Sequence, residues 1–244
     1  MIKTATSFGF AAGLFALAAI GATASEITSA SSVPDKPSFD IQKAEVKRDG
    51  HHLVFSMSVA SGAGKETPEA IGKLKGATVY SYVWPTGFDP SLVGFSKKTG
   101  ILAFAATSHP DFDDTPLYDE DGDGNPANDG RKWHTHWVVL SKTTECGPSG
   151  LKVRDIKKGE VFDLPKTWPS LPLFIDSPGW HPNFTETSIE IRVPFEKSAD
   201  LTGKAFDGVT SALRVNANAH VPLLCVNAVF DVASGDLSLP GRID

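Results

Sequence analysis

Cysteine is almost missing from this 244-residue chain, which has only Cys146 and Cys225. They form no C-x-x-C pair, which argues against a redox motif. In an oxidising compartment two cysteines suggest a disulfide, here closing a loop of about 80 residues and stabilising by ~4 kcal/mol on a chain-entropy argument. Methionine is equally scarce, with Met57 the only one besides Met1. If the disulfide forms, no free thiolate remains, and a thioether-rich copper(I) site is excluded. Basic residues are outnumbered, 23 Lys and Arg against 29 Asp and Glu, for a net charge of −6. No Lys/Arg cluster offers the basic footprint that nucleic acid requires. Long apolar runs are lacking too. The run Phe8 to Ile20 is shorter than the roughly 20 residues a transmembrane helix needs.

That run follows Lys3 and precedes Ala22-Thr23-Ala24, a small-residue cleavage pattern, so residues 1–24 read as a secretory signal. Residues 25–38, rich in Ser, Thr and Pro, read as a flexible tether. Residues 39–244 read as a single domain, with 41% hydrophobic residues and five tryptophans supporting a packed core. The dominant hydrophobic period is two. Leu53, Phe55, Met57 and Val59 alternate with more polar neighbours, as do Ile189, Ile191 and Val193. Leu213, Val215, Ala217 and Ala219 share one face, opposite Arg214, Asn216, Asn218 and His220. Runs around 77–84, 101–107, 133–140 and 223–232 carry the β-branched and aromatic residues of strands. One short helix is expected around Pro68 to Lys75. Residues 163–185 read as a long loop packed over the core. With 22 glycines and 17 prolines as punctuation, the expected fold is all-β: an antiparallel β-sandwich with long loops.

The sequence Asp119-Glu120-Asp121-Gly122-Asp123-Gly124-Asn125 predicts an inserted calcium loop. Carboxylates at alternate positions of a tight turn converge, and a hard dication wants six to eight oxygens. Gly124 permits the bend that turns the carbonyl of Asn125 inward. Gly130 stands where an EF-hand has its glutamate, and Asp129 could supply the missing carboxylate. Asp111, Asp113 and Asp114 lie close enough upstream to add oxygens. The calcium ligands expected are therefore Asp119, Asp121, Asp123, Asn125 and Asp129, in a structural role.

Just beyond lies Trp133-His134-Thr135-His136-Trp137. On a strand His134 and His136 share a face, about 6.6 Å apart at ~3.3 Å per residue, and can lean onto one metal. A third ligand must come from elsewhere. His220 is preferred over His109 or His181, because it precedes Cys225 as His136 precedes Cys146, and a disulfide would hold those regions together. His51 and His52 flank a glycine turn and read as exposed. Imidazole suits copper, zinc, nickel and iron, and copper(II) binds nitrogen donors most tightly.

An exported β-rich chain with an Asp-rich calcium loop, a W-H-T-H-W strand and a later single histidine resembles the copper-repressible copper-binding proteins of methanotrophs, the MopE and CorA type. The resemblance implies one copper held by His136 and His220. The third ligand in that family is a tryptophan oxidised to kynurenine, two residues before a histidine. Here that position is His134, giving a three-histidine site of His134, His136 and His220, with Trp133 and Trp137 adjacent. It implies calcium, a periplasmic, secreted or surface location in a Gram-negative bacterium, and a role in copper uptake, storage or buffering. Any partner protein would be periplasmic or in the outer membrane. The H-x-H-W strand also resembles the zinc site of α-type carbonic anhydrases, which would make the chain a three-histidine zinc or copper enzyme. A DOMON-like sandwich with haem-ligating histidines is a further alternative.

Overall fold

The computed structural model describes residues 25–114, 124, 130–195, 198–216 and 224–244. Strands dominate, and every pairing is antiparallel, as the period of two predicts. In chain order they are β1 (Glu26–Thr28), β2 (Ile41–Asp49), β3 (His52–Val59), β4 (Thr78–Pro85), β5 (Ile101–Ser108), β6 (His134–Lys142) and β7 (Leu151–Val153). The rest are β8 (Ile175–Asp176), β9 (Asn183–Phe184), β10 (Ser188–Pro194), β11 (Ala205–Phe206), β12 (Val209–Val215), β13 (Leu224–Val232) and β14 (Gly241–Arg242).

The strands form two layers and a small accessory pair, β11–β14. One layer is an open five-stranded sheet in the order β1-β2-β3-β10-β9. The other is not open. Its order β5-β4-β12-β13-β7-β6 returns to β5, closing a barrel of six strands, with β8 added along β6. Closure removes both edges of that sheet. It was invisible to the hydrophobic period, which says which face is buried and nothing about which strands meet.

Closure also gives the strands β5 and β6 two buried faces. On β5, Leu102, Phe104 and Ala106 point out toward the five-stranded sheet, into a core shared with Phe55, Trp84 and Trp137. Aromatic rings dominate this layer: Phe55 lies 4.6 Å from Phe104 and 5.7 Å from Trp137, centroid to centroid. The alternate residues Ala103 and Ala105 point into the barrel, with Val83, Val138, Leu140 and Val226. The seam between β13 and β7 is the weakest, a single register pair, Cys225 with Lys152. The Cys146–Cys225 disulfide expected from the sequence closes beside it.

Two expectations are corrected. Residues 68–75 form turns rather than a helix. Gly72 takes a φ of +70°, and Asp111 Oδ1 accepts the N–H groups of Ile71 and Gly72 that a helix would have used internally. The expected tether is also partly folded: β1 pairs with β2, and the carbonyl of Ser38 accepts the buried Tyr82 hydroxyl at 2.7 Å. Residues 163–185 are mostly loop, as expected, with β8 and β9 inside them. The signal segment 1–24 lies outside the described residues. Among the described residues no helix is long and apolar enough to cross a membrane.

Candidate metal centre

β5 and β6 pair in a register that sets Thr107 opposite His134 and Ala105 opposite His136. The inward phase of β5 runs Ala103, Ala105, Thr107 and continues to His109, just past the strand end. The inward phase of β6 runs His134, His136, Val138. The backbone N–H of His109 donates to Gly130 O at 2.7 Å, carrying the pairing one step beyond the strands. Three histidines thus reach one end of the barrel, and Asp114, five residues after His109, folds back to join them. His109, Asp114, His134 and His136 are all buried, and their ligand atoms lie within 4.8 Å of one another.

Each imidazole is pinned through its other nitrogen. His109 Nδ1 faces Phe112 O at 2.9 Å, and His134 Nδ1 faces Lys132 O at 2.9 Å. His136 Nδ1 faces Asp176 O at 3.2 Å and Ser177 Oγ at 3.1 Å. A carbonyl only accepts, so each Nδ1 carries a proton and the Nε2 of each neutral ring turns its lone pair inward. Metal-binding histidines are held in this way, with a carbonyl fixing tautomer and ring orientation.

The inward atoms crowd together. His109 Nε2 and His134 Nε2 are 2.9 Å apart. Asp114 Oδ1 lies 3.3 Å from the first and 3.2 Å from the second, while Oδ2 lies 3.4 Å from His136 Nε2. Two donors each ~2.05 Å from a tetrahedral metal stand about 3.3 Å apart. The three edges from Asp114 to the imidazoles, 3.2–3.4 Å, have that length, and that between His109 and His134 is shorter. His136 Nε2, although near Asp114, makes no hydrogen bond. That buried nitrogen, facing one carboxylate and grouped with two further imidazoles, suits a metal ligand.

The electrostatics agree. Burial disfavours the charged form of Asp114, yet the imidazoles that face it, His109 above all, hold its carboxyl well below the usual range. Burial also works against a charge on His109, but the Asp114 carboxylate outweighs it and raises that imidazole. Burial dominates at His136, which falls to about 3 and stays neutral. Without a metal, a proton on His109 balances the Asp114 carboxylate; a cation can replace it.

The structure therefore joins His134 and His136, as expected, and supplies the third nitrogen from His109. The other alternative, His181, is exposed, as is His51, while His52 is half-buried at the start of β3. His220 lies outside the described residues, and so do Asp119, Asp121, Asp123, Asn125 and Asp129 of the acidic loop. Gly124 has a φ of +84°, the bend expected of it. Asp114, one of three upstream aspartates close enough to add oxygens to the calcium loop, faces the histidines, while Asp111 holds the 71–72 turn. Trp137 points from the opposite face of β6 into the aromatic core, and Trp133 donates its Nε1–H to Gly64 O at 2.8 Å. Gly130 is needed for close approach: a Cβ there would sit 2.0 Å from Phe112 O and 3.0 Å from His109 Nδ1.

Fold and site together define a closed antiparallel β-barrel, backed by a second sheet, with a buried three-histidine, one-aspartate group that could hold a metal ion. No protein-family model matches the chain, and no curated protein or solved structure matches it either.

Proposed function

We propose that this is an exported copper-binding protein that holds one copper through His109, His134 and His136, with Asp114 as the fourth donor. The observation that carries this reading is the set of three Nδ1–H groups bound to carbonyls, which turns three Nε2 atoms onto one carboxylate in a buried site. Copper is favoured over zinc by the affinity order for nitrogen and oxygen donors. No soft ligand competes, since both cysteines are bonded to each other and Met57 is buried in β3. The disulfide and the apolar N-terminal run support export to the periplasm or beyond. The spacing of Asp119, Asp121, Asp123, Asn125 and Asp129 supports a structural calcium in the segment between His109 and His134. With the MopE and CorA resemblance, these features favour copper uptake, storage or buffering.

Haem is disfavoured by space. The cavity beside the histidines measures about 70 Å³, against roughly 300–1,000 Å³ for sites that enclose larger ligands.

The test is metal analysis of the exported protein after dialysis against equal copper and zinc, alongside His134→Ala/His136→Ala. One copper per chain, lost in the variant with calcium retained, is expected. One zinc instead would turn the reading toward a hydrolytic enzyme, and no transition metal in either protein would end the metal assignment.

A further inference from the structure

The metal cluster does not end in packed side chains. His109, Asp114 and His136 form one end of an apolar cavity inside the barrel, whose walls include Val83, Ala105, Val138 and Val226. Its origin is visible in the register. Val83 on β4 pairs with Ala105 on β5, and Ala105 pairs with His136 on β6. A row of three inward residues with alanine in the middle leaves a gap between valine and imidazole. The polar side chains Ser81 and Ser211 on this wall satisfy each other at 2.7 Å. Thr107 Oγ1, the other hydroxyl of the lining, lies 3.3 Å from His134 Nε2. The hydroxyls of the wall are therefore already partnered, and a polar guest meets only the cluster, where His136 Nε2 is buried without a hydrogen bond.

We infer that the barrel lumen is a binding site for a small neutral molecule, which takes the position of Asp114 on the metal beside His136 and rests its other end on the Val83–Ala105 wall. This rests on the metal reading above and extends it to the class of ligand. Size and polarity set that class. At about 70 Å³ the cavity is about half the roughly 150 Å³ that admits benzene, so it suits a diatomic gas or a molecule of about three heavy atoms. An apolar wall disfavours anions, because burying an uncompensated charge is costly.

Carbon monoxide is the probe for the copper-loaded, reduced protein, and xenon for the lumen itself. Infrared spectroscopy is expected to show one carbonyl adduct per copper. Ala105→Val, which fills the gap, should weaken carbon monoxide binding at least tenfold with copper content unchanged. Val209→Phe, entering from the strand beyond Val83, serves as the second filling variant should Ala105→Val lose copper. Xenon-pressurised crystals should place xenon in the lumen of the parent and not of either variant. Equal carbon monoxide affinity in parent and copper-replete variants, or no adduct on fully loaded protein, would overturn the inference. A chain that takes up no copper would defeat the metal reading alone. The xenon arm, run on metal-free crystals, would still decide the lumen: no xenon there rejects it.

Discussion

His109 and Asp114 show how little separates a turn residue from a ligand. Both lie at the start of the segment leading to the acidic loop: His109 faces the barrel because it continues the inward phase of β5, and Asp114 because the chain folds back onto the cluster. Removing a donor from such a closed set leaves the others unbalanced. His109→Ala and Asp114→Asn are each expected to lower metal affinity by at least 100-fold. Ser177→Ala, which takes away one partner of His136 Nδ1 but leaves the Asp176 carbonyl, should cost about tenfold or less. Competition titration with a chelator of known affinity measures all three.

A second prediction at this scale concerns Asp176. Burial raises its carboxyl to about 6, against hydrogen bonds from Thr167 and Ser177 that act the other way. The folded state therefore keeps a proton that the unfolded chain gives up near 4. Bound protons are then more numerous in the folded state between those values, so stability falls as pH rises from about 4 to about 6. Asp176→Asn removes that slope and is expected to be more stable at pH 7 by on the order of 2 kcal/mol. Urea unfolding of metal-free protein across pH 4 to 7 checks it; parallel curves for parent and variant would refute the assignment.

At the scale of elements, the barrel's weak point is the junction of β7 and β13. Most strand pairs share several residues, but this one shares a single register pair beside the disulfide. The cross-link spans 79 residues of sequence. Loop-closure entropy for that length is worth ~4 kcal/mol, and here the bond also holds the two sides of the seam. Cys146→Ser/Cys225→Ser is therefore expected to lose about 3–5 kcal/mol in denaturant unfolding. Amide exchange should rise first in β7 and the adjoining part of β13, with β4 and β5 protected longest. Uniform loss of protection would show that the seam opens only with the whole fold. The hairpin β5–β6 is the opposite case. Its register decides both cores at once, since a slip by one residue would turn His134 and His136 into the aromatic layer and Trp137 into the lumen.

For the whole molecule, the cluster lies where strands from one end of the barrel meet the loop returning from His109. A metal bound only by the folded state stabilises it by mass action, about 2.7 kcal/mol at a hundred times the dissociation constant. Thermal unfolding should therefore rise by several degrees with copper. The rise should disappear in His134→Ala/His136→Ala and shrink at pH 5, because metal must displace the proton that His109 holds. Calorimetry with and without copper reads this directly.

The alternation of apolar and more polar residues along 53–59 and 188–193 was enough to place those strands, because a pleated chain turns every second side chain the same way, and β-branched and aromatic residues marked 101–107 and 133–140. The same rule put His134 and His136 on one face, and scarcity of cysteine made Cys146 and Cys225 partners by elimination. His109 was legible in principle. It is in phase with Ala103, Ala105 and Thr107, and the next strand begins with histidine. Distance along the chain concealed it, since acidic residues between the two strands drew attention to calcium. Which of several histidines stood third, which aspartate turned inward, and that one layer closes on itself were decided only in three dimensions. Those choices depend on hydrogen bonds between strands and on carbonyls such as Phe112 O and Asp176 O that no residue type encodes. Periodicity fixes which way a side chain faces; only the closed register fixes what it faces.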